Sequence, residues 1–141
     1  MRILLLISVM VTSGAVCYFD LRYRRIPNLS LPPLGALLFL SEEGNEGIET
    51  LTRPLALVAV YLAIYLLSRK SLGAGDVKLA VILSIATDSW HTLYLIHLIA
   101  WTSAGLYLSA VLAVGGRIRN HSVAFAPFLI VPTLWFLITT H

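Results

Sequence analysis

Six apolar runs, separated by short polar clusters, constrain this chain more than any other feature. They cover residues 3–19, 29–40, 51–67, 77–87, 93–114 and 123–139. Hydrophobic residues make up 58% of the 141, and charged residues 12%. Soluble domains carry about 25% charged residues, so this composition belongs in a bilayer. Mean hydropathy, +0.86, points the same way. The net charge of +3 is then no argument for nucleic acid as a partner, because basic residues on a membrane protein mark its cytoplasmic side. The expected fold is an all-α polytopic membrane protein, one domain over 1–141, with membrane lipid as its surroundings.

The first run follows Arg2 and reads ILLLISVMVTSGAV. It has the outline of a signal peptide, but Val16 would stand just before a cleavage at Cys17, where a small residue is needed. It therefore reads as an uncleaved first span. The second and fourth runs are short, giving under ~20 Å of helix against a hydrocarbon core of about 30 Å. Were they re-entrant, four true spans would remain.

Basic residues separate the two topologies. Six spans put Arg22, Arg24, Arg25, Arg69, Lys70, Lys78, Arg117 and Arg119 on one side, and only Arg2 and Arg53 on the other, a split of 8 to 2. Four spans move Arg53 to the first set and Arg69, Lys70 and Lys78 to the second, a split of 6 to 4. The positive-inside tendency selects six spans, with both termini outside and three basic loops in the cytoplasm. In that topology Glu42, Glu43, Glu46, Glu49 and Asp88 fall outside. Asp20, ending the first span, and Asp76, opening the fourth, are the two acids left at the cytoplasmic face.

Two carboxylates at one depth invite a chemical reading, because ionisable groups at membrane depth are costly. Two close carboxylates share one proton. The charged member takes a proton from water; the neutral one polarises a scissile carbonyl and then protonates the leaving amine. No cofactor is required. A metal site is not expected either. Cys17 is the single cysteine, no CxxC pair exists, and His91, His97, His121 and His141 lack metal-ligand spacing and read as interface or loop residues. Structural roles compete: Asp76 is placed to N-cap a helix beginning at Val77, and Asp20 to pair with Arg24 one turn on. Gly73 and Gly75, before Asp76, shape a turn and leave room for a substrate backbone. In DLRYRRIPNLSLPPL (20–34), Pro27 disfavours helix at Ile26, Asn28 or Ser30 suits a cap for the second helix, and Pro32 or Pro33 its first turn.

Three segments carry a family resemblance. Asp20 is followed by Ile26-Pro27-Asn28, GAGDVKL (73–79) fits a G-x-G-D-x-K-L pattern, and a late apolar FAPFL (125–129) contains a proline. With these the chain resembles the type IV prepilin and archaeal preflagellin peptidases, aspartic membrane proteases of the GxGD type. The resemblance implies six spans, a catalytic pair at Asp20 and Asp76, and motif support from Gly73, Gly75, Lys78, Pro27 and Asn28. It implies cleavage of a basic leader from a prepilin or pseudopilin precursor at the cytoplasmic membrane of a bacterium or archaeon, and contact with pilus or secretion assembly machinery. The chain lacks the length and the cysteines of the methyltransferase region that many members carry. It is most similar to peptidase-only members of Tad-type (Flp) systems. It departs from the family where Pro132 stands near the position of a glycine in the last span. The role of Lys78 is either snorkelling to headgroups or anchoring the helix start. A non-catalytic assembly protein, and a small ion-coupled carrier, are the alternative functions for the same residues.

Overall fold

A computed structural model describes residues 2–41, 49–67, 73–115 and 124–139. All its regular structure is helical. The elements are α1 (Arg2–Tyr23), α2 (Leu31–Ser41), α3 (Glu49–Leu67), α4 (Ala74–Leu83), which tightens into a 3₁₀ turn (Ser84–Ala86), α5 (Trp90–Ala113) and α6 (Ala126–Thr139). Each apolar run in the sequence has thus become one helix. Two helices, Ile3–Tyr23 and Trp90–Ala113, are long and apolar enough to cross a membrane. Glu42, Glu43, Glu46, Arg69, Lys70, Arg117, Arg119, His121 and His141 lie outside the described residues, as does the side chain of Glu49.

α4 forms the centre. It packs against α2, α3 and α6, while α1 packs on α2 and α6, and α5 on α6. A helix that is apolar all round is one that has neighbours all round. Leu79, Ala80 and Leu83 of α4 meet Leu34 and Leu38 of α2, Leu57 and Tyr61 of α3, and Leu129 and Ile130 of α6 in one buried cluster. The central position accounts for the short run. α4 and its 3₁₀ turn extend about 21 Å, short of the bilayer core, and lie within a ring of other helices. By contrast the outer faces are apolar and exposed, as at Ile3, Leu4, Val11, Leu55, Leu106 and Trp135. A water-facing surface would not carry so many large hydrophobic side chains.

Several boundaries differ from expectation, each for a local reason. α1 continues one turn past residue 19 to Tyr23, where Arg24 takes a left-handed conformation (φ 52°) and ends it. That turn places Asp20 inside the helix, not after it. α2 begins at Leu31, with Pro32 and Pro33 in its first turn as expected. Ser30 precedes it, and its hydroxyl donates back to the Pro27 carbonyl at 2.8 Å, stiffening the connection. α5 begins at Trp90, because Ser89 caps it by accepting from the Thr92 N–H. Pro132 lies buried within α6, which runs on through it to Thr139.

Arg53 is the largest revision. The charge count used it only as a charge on the outer side, near the start of the third run. It is 1% exposed in the second turn of α3, and its guanidinium donates to the Thr87 carbonyl where the 3₁₀ turn ends. Helix C-termini leave carbonyls without intrahelical donors, and a cation there satisfies them and the helix dipole together. A buried Arg is tolerable on those terms only. Arg53→Met is expected to orphan the buried Thr87 carbonyl and cost about 1–3 kcal/mol, read as a lower thermal midpoint in detergent. Arg53→Lys is expected to recover part of that loss.

Candidate functional site

The three segments singled out in the sequence come together at one end of α4. α4 starts at Ala74, with Gly73 as its N-cap in an extended conformation (φ −66°, ψ 131°). This corrects the expectation that Asp76 caps a helix starting at Val77. Asp76 is the third residue of α4, and the N–H groups of Asp76 and Val77 both point back to the Gly73 carbonyl. An acid in a first turn is favoured by the dipole. Its carboxylate curls back over the cap: a Cβ on Gly73 would stand 2.8 Å from Asp76 Oδ2. The glycine is needed because the carboxylate occupies the space a side chain would take.

Gly75 serves a different purpose from the one expected. A Cβ there would meet Cβ of Ile26 at 3.3 Å. The space is filled by the IPN segment of the first loop, not left open to a substrate. Two residues on, Asn28 Oδ1 accepts a hydrogen bond from Lys78 Nζ at 3.1 Å. Lys78 therefore ties the α1–α2 connection to α4, a contact that neither of its expected roles named. Pro27 fits between these contacts; it breaks the helix and its carbonyl accepts from Ser30.

FAPFL supplies the third part. Phe125 is buried, and its ring lies 5.0 Å from that of Trp101. Ala126 begins α6, and its N–H donates to Asp20 Oδ2 at 2.9 Å in a buried setting. Asp20 is 5% exposed and does for α6 what an N-cap side chain does, from 106 residues away. The expected Asp20–Arg24 pairing has a different form. The Arg24 N–H donates to the Asp20 carbonyl at 2.8 Å, and its guanidinium acts on the carboxylate through its charge.

Asp20 and Asp76 lie within electrostatic reach of each other. Their surroundings differ. The Asp20 carboxylate has the Ala126 N–H bonded to it and the Arg24 guanidinium nearby. Asp76 stands at the start of α4, before its apolar run. Desolvation by burial, and then the Asp20 charge, push its carboxyl up to about 7. Loss of the Asp76 proton is thus linked to the charge state of Asp20.

Sequence reasoning missed His97, which is neither a loop nor an interface residue. It lies in α5, its ring 5.7 Å from that of the buried Tyr61. The periodicity of so apolar a helix gives no sign of which face is inward. His91 is exposed in the first turn of α5, and Cys17 is half-buried in α1. Among the described residues, no three His, Cys, Asp or Glu side chains are grouped as a metal site would need.

A pH-dependent stability follows from Asp76. Its folded carboxyl titrates above its unfolded value of 3.8, so the folded protein binds more protons between those limits. Stability therefore falls as pH rises from about 4 through about 7. Asp76→Asn is expected to raise the thermal midpoint at pH 8, with the gain vanishing toward pH 4. Unfolding scans of both proteins in one detergent across that range check it.

Comparison with known proteins gives a family match. The family model of the type IV leader peptidase family matches residues 4–110, well over half of the chain. The match takes in Asp20, the IPN segment and GAGDVKL, and stops short of FAPFL. No curated protein and no solved structure matches significantly.

Proposed function

The chain belongs to the type IV leader peptidase family, and from that premise we propose that it is a membrane aspartic endopeptidase using Asp20 and Asp76. It removes the basic leader of prepilin-like precursors at the cytoplasmic face of the membrane. The observation that carries this reading is that Asp20, bonded to the first N–H of α6, lies within electrostatic reach of Asp76 at the start of α4. Six membrane-crossing helices with both termini outside are part of the same proposal. The 8 to 2 split of basic residues supports it, as do the exposed apolar faces. Flp-type pilins of a Tad system are the substrates included in the proposal.

The chemistry runs on the difference between the two acids. Asp20, whose charge has hydrogen-bonded and cationic support, removes a proton from water as the water oxygen adds to the scissile carbonyl carbon. Asp76 holds its proton against the developing oxyanion. As the tetrahedral intermediate collapses, Asp76 gives that proton to the departing amine and the C–N bond breaks. The proton now on Asp20 passes to Asp76, and the pair is restored. Placing this pair at a helix end suits a substrate whose leader is basic and whose remainder is an apolar helix. The helix stays in the bilayer and the bond to be cut lies at its edge.

Coexpression with a prepilin-like precursor from the same genome tests the reading. Asp20→Asn and Asp76→Asn are each expected to lower cleavage by about a hundred- to ten-thousand-fold, the usual worth of general acid–base catalysis. Full leader removal by both variants would instead favour a non-catalytic assembly role. With purified protein, the cleavage rate is expected to fall as pH rises through about 7, where the Asp76 proton is lost. A profile flat to pH 9 would contradict the assigned roles. Gly73→Ala is expected to fold normally yet lose most activity, because its methyl group pushes aside the Asp76 carboxylate, the far end of a side chain that can turn away.

A further inference from the structure

Asp20 takes its hydrogen bond from α6, so its aim depends on whatever fixes the first residue of that helix. Phe125 stands just before α6, and its carbonyl accepts from the N–H groups of Phe128 and Leu129. A residue at that position is held by a polar side chain or by packing, and phenylalanine has packing alone. Its ring is buried, and the Trp101 ring lies against it, with centroids 5.0 Å apart and planes at 51°. The Ala126 N–H that donates to Asp20 Oδ2 belongs to the next residue. That N–H shares one peptide plane with the Phe125 carbonyl, so a turn of Phe125 re-aims it.

Trp101 is itself held from the far side. It lies in the middle of α5, and its side chain hydrogen-bonds to Tyr61 of α3. An indole N–H only donates, so the Tyr61 oxygen accepts. Their ring centroids are 6.2 Å apart, and Tyr61 is buried in the cluster around α4. Trp101 is 39% exposed, so burial alone leaves its ring free to turn; the bond to Tyr61 fixes it. α3 packs on α4 and its 3₁₀ turn, and α5 on α6, with no comparable packing of α3 on α5. The Tyr61–Trp101 contact therefore carries the position of α3 across to the start of α6.

We propose that Trp101 is a positioning residue for the Asp20 carboxylate, acting through Phe125 and the Ala126 N–H. This rests on the peptidase reading and adds a residue on α5 that none of the three motif segments contains. A general base must keep its oxygen toward the water it deprotonates. Misplacing such a group by about 1 Å, even from a distance, costs about a hundredfold in rate. Trp101 acts on the base and not on the precursor, so its loss falls on kcat and spares KM.

The test uses the purified full chain in detergent with a prepilin-like precursor. Trp101→Leu is expected to lower kcat about a hundredfold, with KM within about twofold of wild type. Trp101→Phe and Tyr61→Phe remove the same hydrogen bond from either side and keep a ring in place. Each is expected to lower kcat about tenfold, and the double variant no further. Trp135→Leu, on the exposed face of α6, is the control and is expected to leave kcat unchanged. Position is read from the Ala126 amide by nuclear magnetic resonance on isotopically labelled protein. Its proton is expected to move upfield in each Trp101 variant and to exchange with deuterium about tenfold faster, as its bond to the carboxylate weakens. The Leu134 amide, further along α6, is expected to keep its exchange rate. An unmoved Ala126 resonance, or a loss carried by KM alone, would overturn the proposal. Equal loosening along all of α6 would also overturn it, by making Trp101 a packing residue only. The amide readout needs no substrate, so failure of the peptidase reading would show separately, as full leader removal by Asp20→Asn and Asp76→Asn.

Discussion

One buried hydrogen bond, from the Ala126 N–H to Asp20 Oδ2, joins the two ends of the described chain and sets the positions of everything between. It closes α1 against α6, and α4 is held between α6 and the connection that follows α1. Without a carboxylate at position 20, the first N–H of α6 would lose the side-chain acceptor it has, and Phe125 before it has no polar side chain to take its place. Membrane surroundings leave such a group no water to turn to. The same oxygen that completes the fold thus belongs to the carboxylate assigned the base role, and its orientation is fixed before any substrate arrives.

Burial, and then the charge of Asp20, set the state of Asp76. An acid half-buried beside another is held protonated at a pH where free carboxyls are ionised. The surrounding contacts keep it in place all the same. Ile26 fills the space beside Gly75, Lys78 reaches Asn28, and the Asp76 side chain lies over Gly73. Each joins the GAGDVKL segment either to the first loop or to its own cap. The stability lost to the close pair is offset by an assembly in which a motif residue on one segment touches a motif residue on the other.

The helices were legible in the sequence because composition alone dictates them. A chain this apolar can satisfy its backbone in lipid by forming helices, and each polar cluster marks a break. The pairing of Asp20 with Asp76 was reached by counting charges, with no geometry. What stayed hidden were features that depend on tertiary contacts. Arg53 counted only as an outer-side charge because the Thr87 carbonyl it donates to is a backbone atom 34 residues on and leaves no trace in side-chain patterns. Asp76 looked like a cap because Gly73 has no side chain to advertise the true start of α4. Gly75 looked open because Ile26 is distant in sequence. His97 and Tyr61 could not be singled out on helices whose every face is apolar.

The account stands on the electrostatic coupling of two carboxylates, and infrared titration of their protonated C=O band measures it directly. In the intact protein, one carboxyl band is expected to disappear with a midpoint at about 7 and to be missing from Asp76→Asn. In Asp20→Asn that midpoint is expected to fall, but not to the value of a free carboxyl, because the neighbouring charge is gone while burial remains. A midpoint that does not move when Asp20 becomes Asn would contradict the pairing and the mechanism built on it.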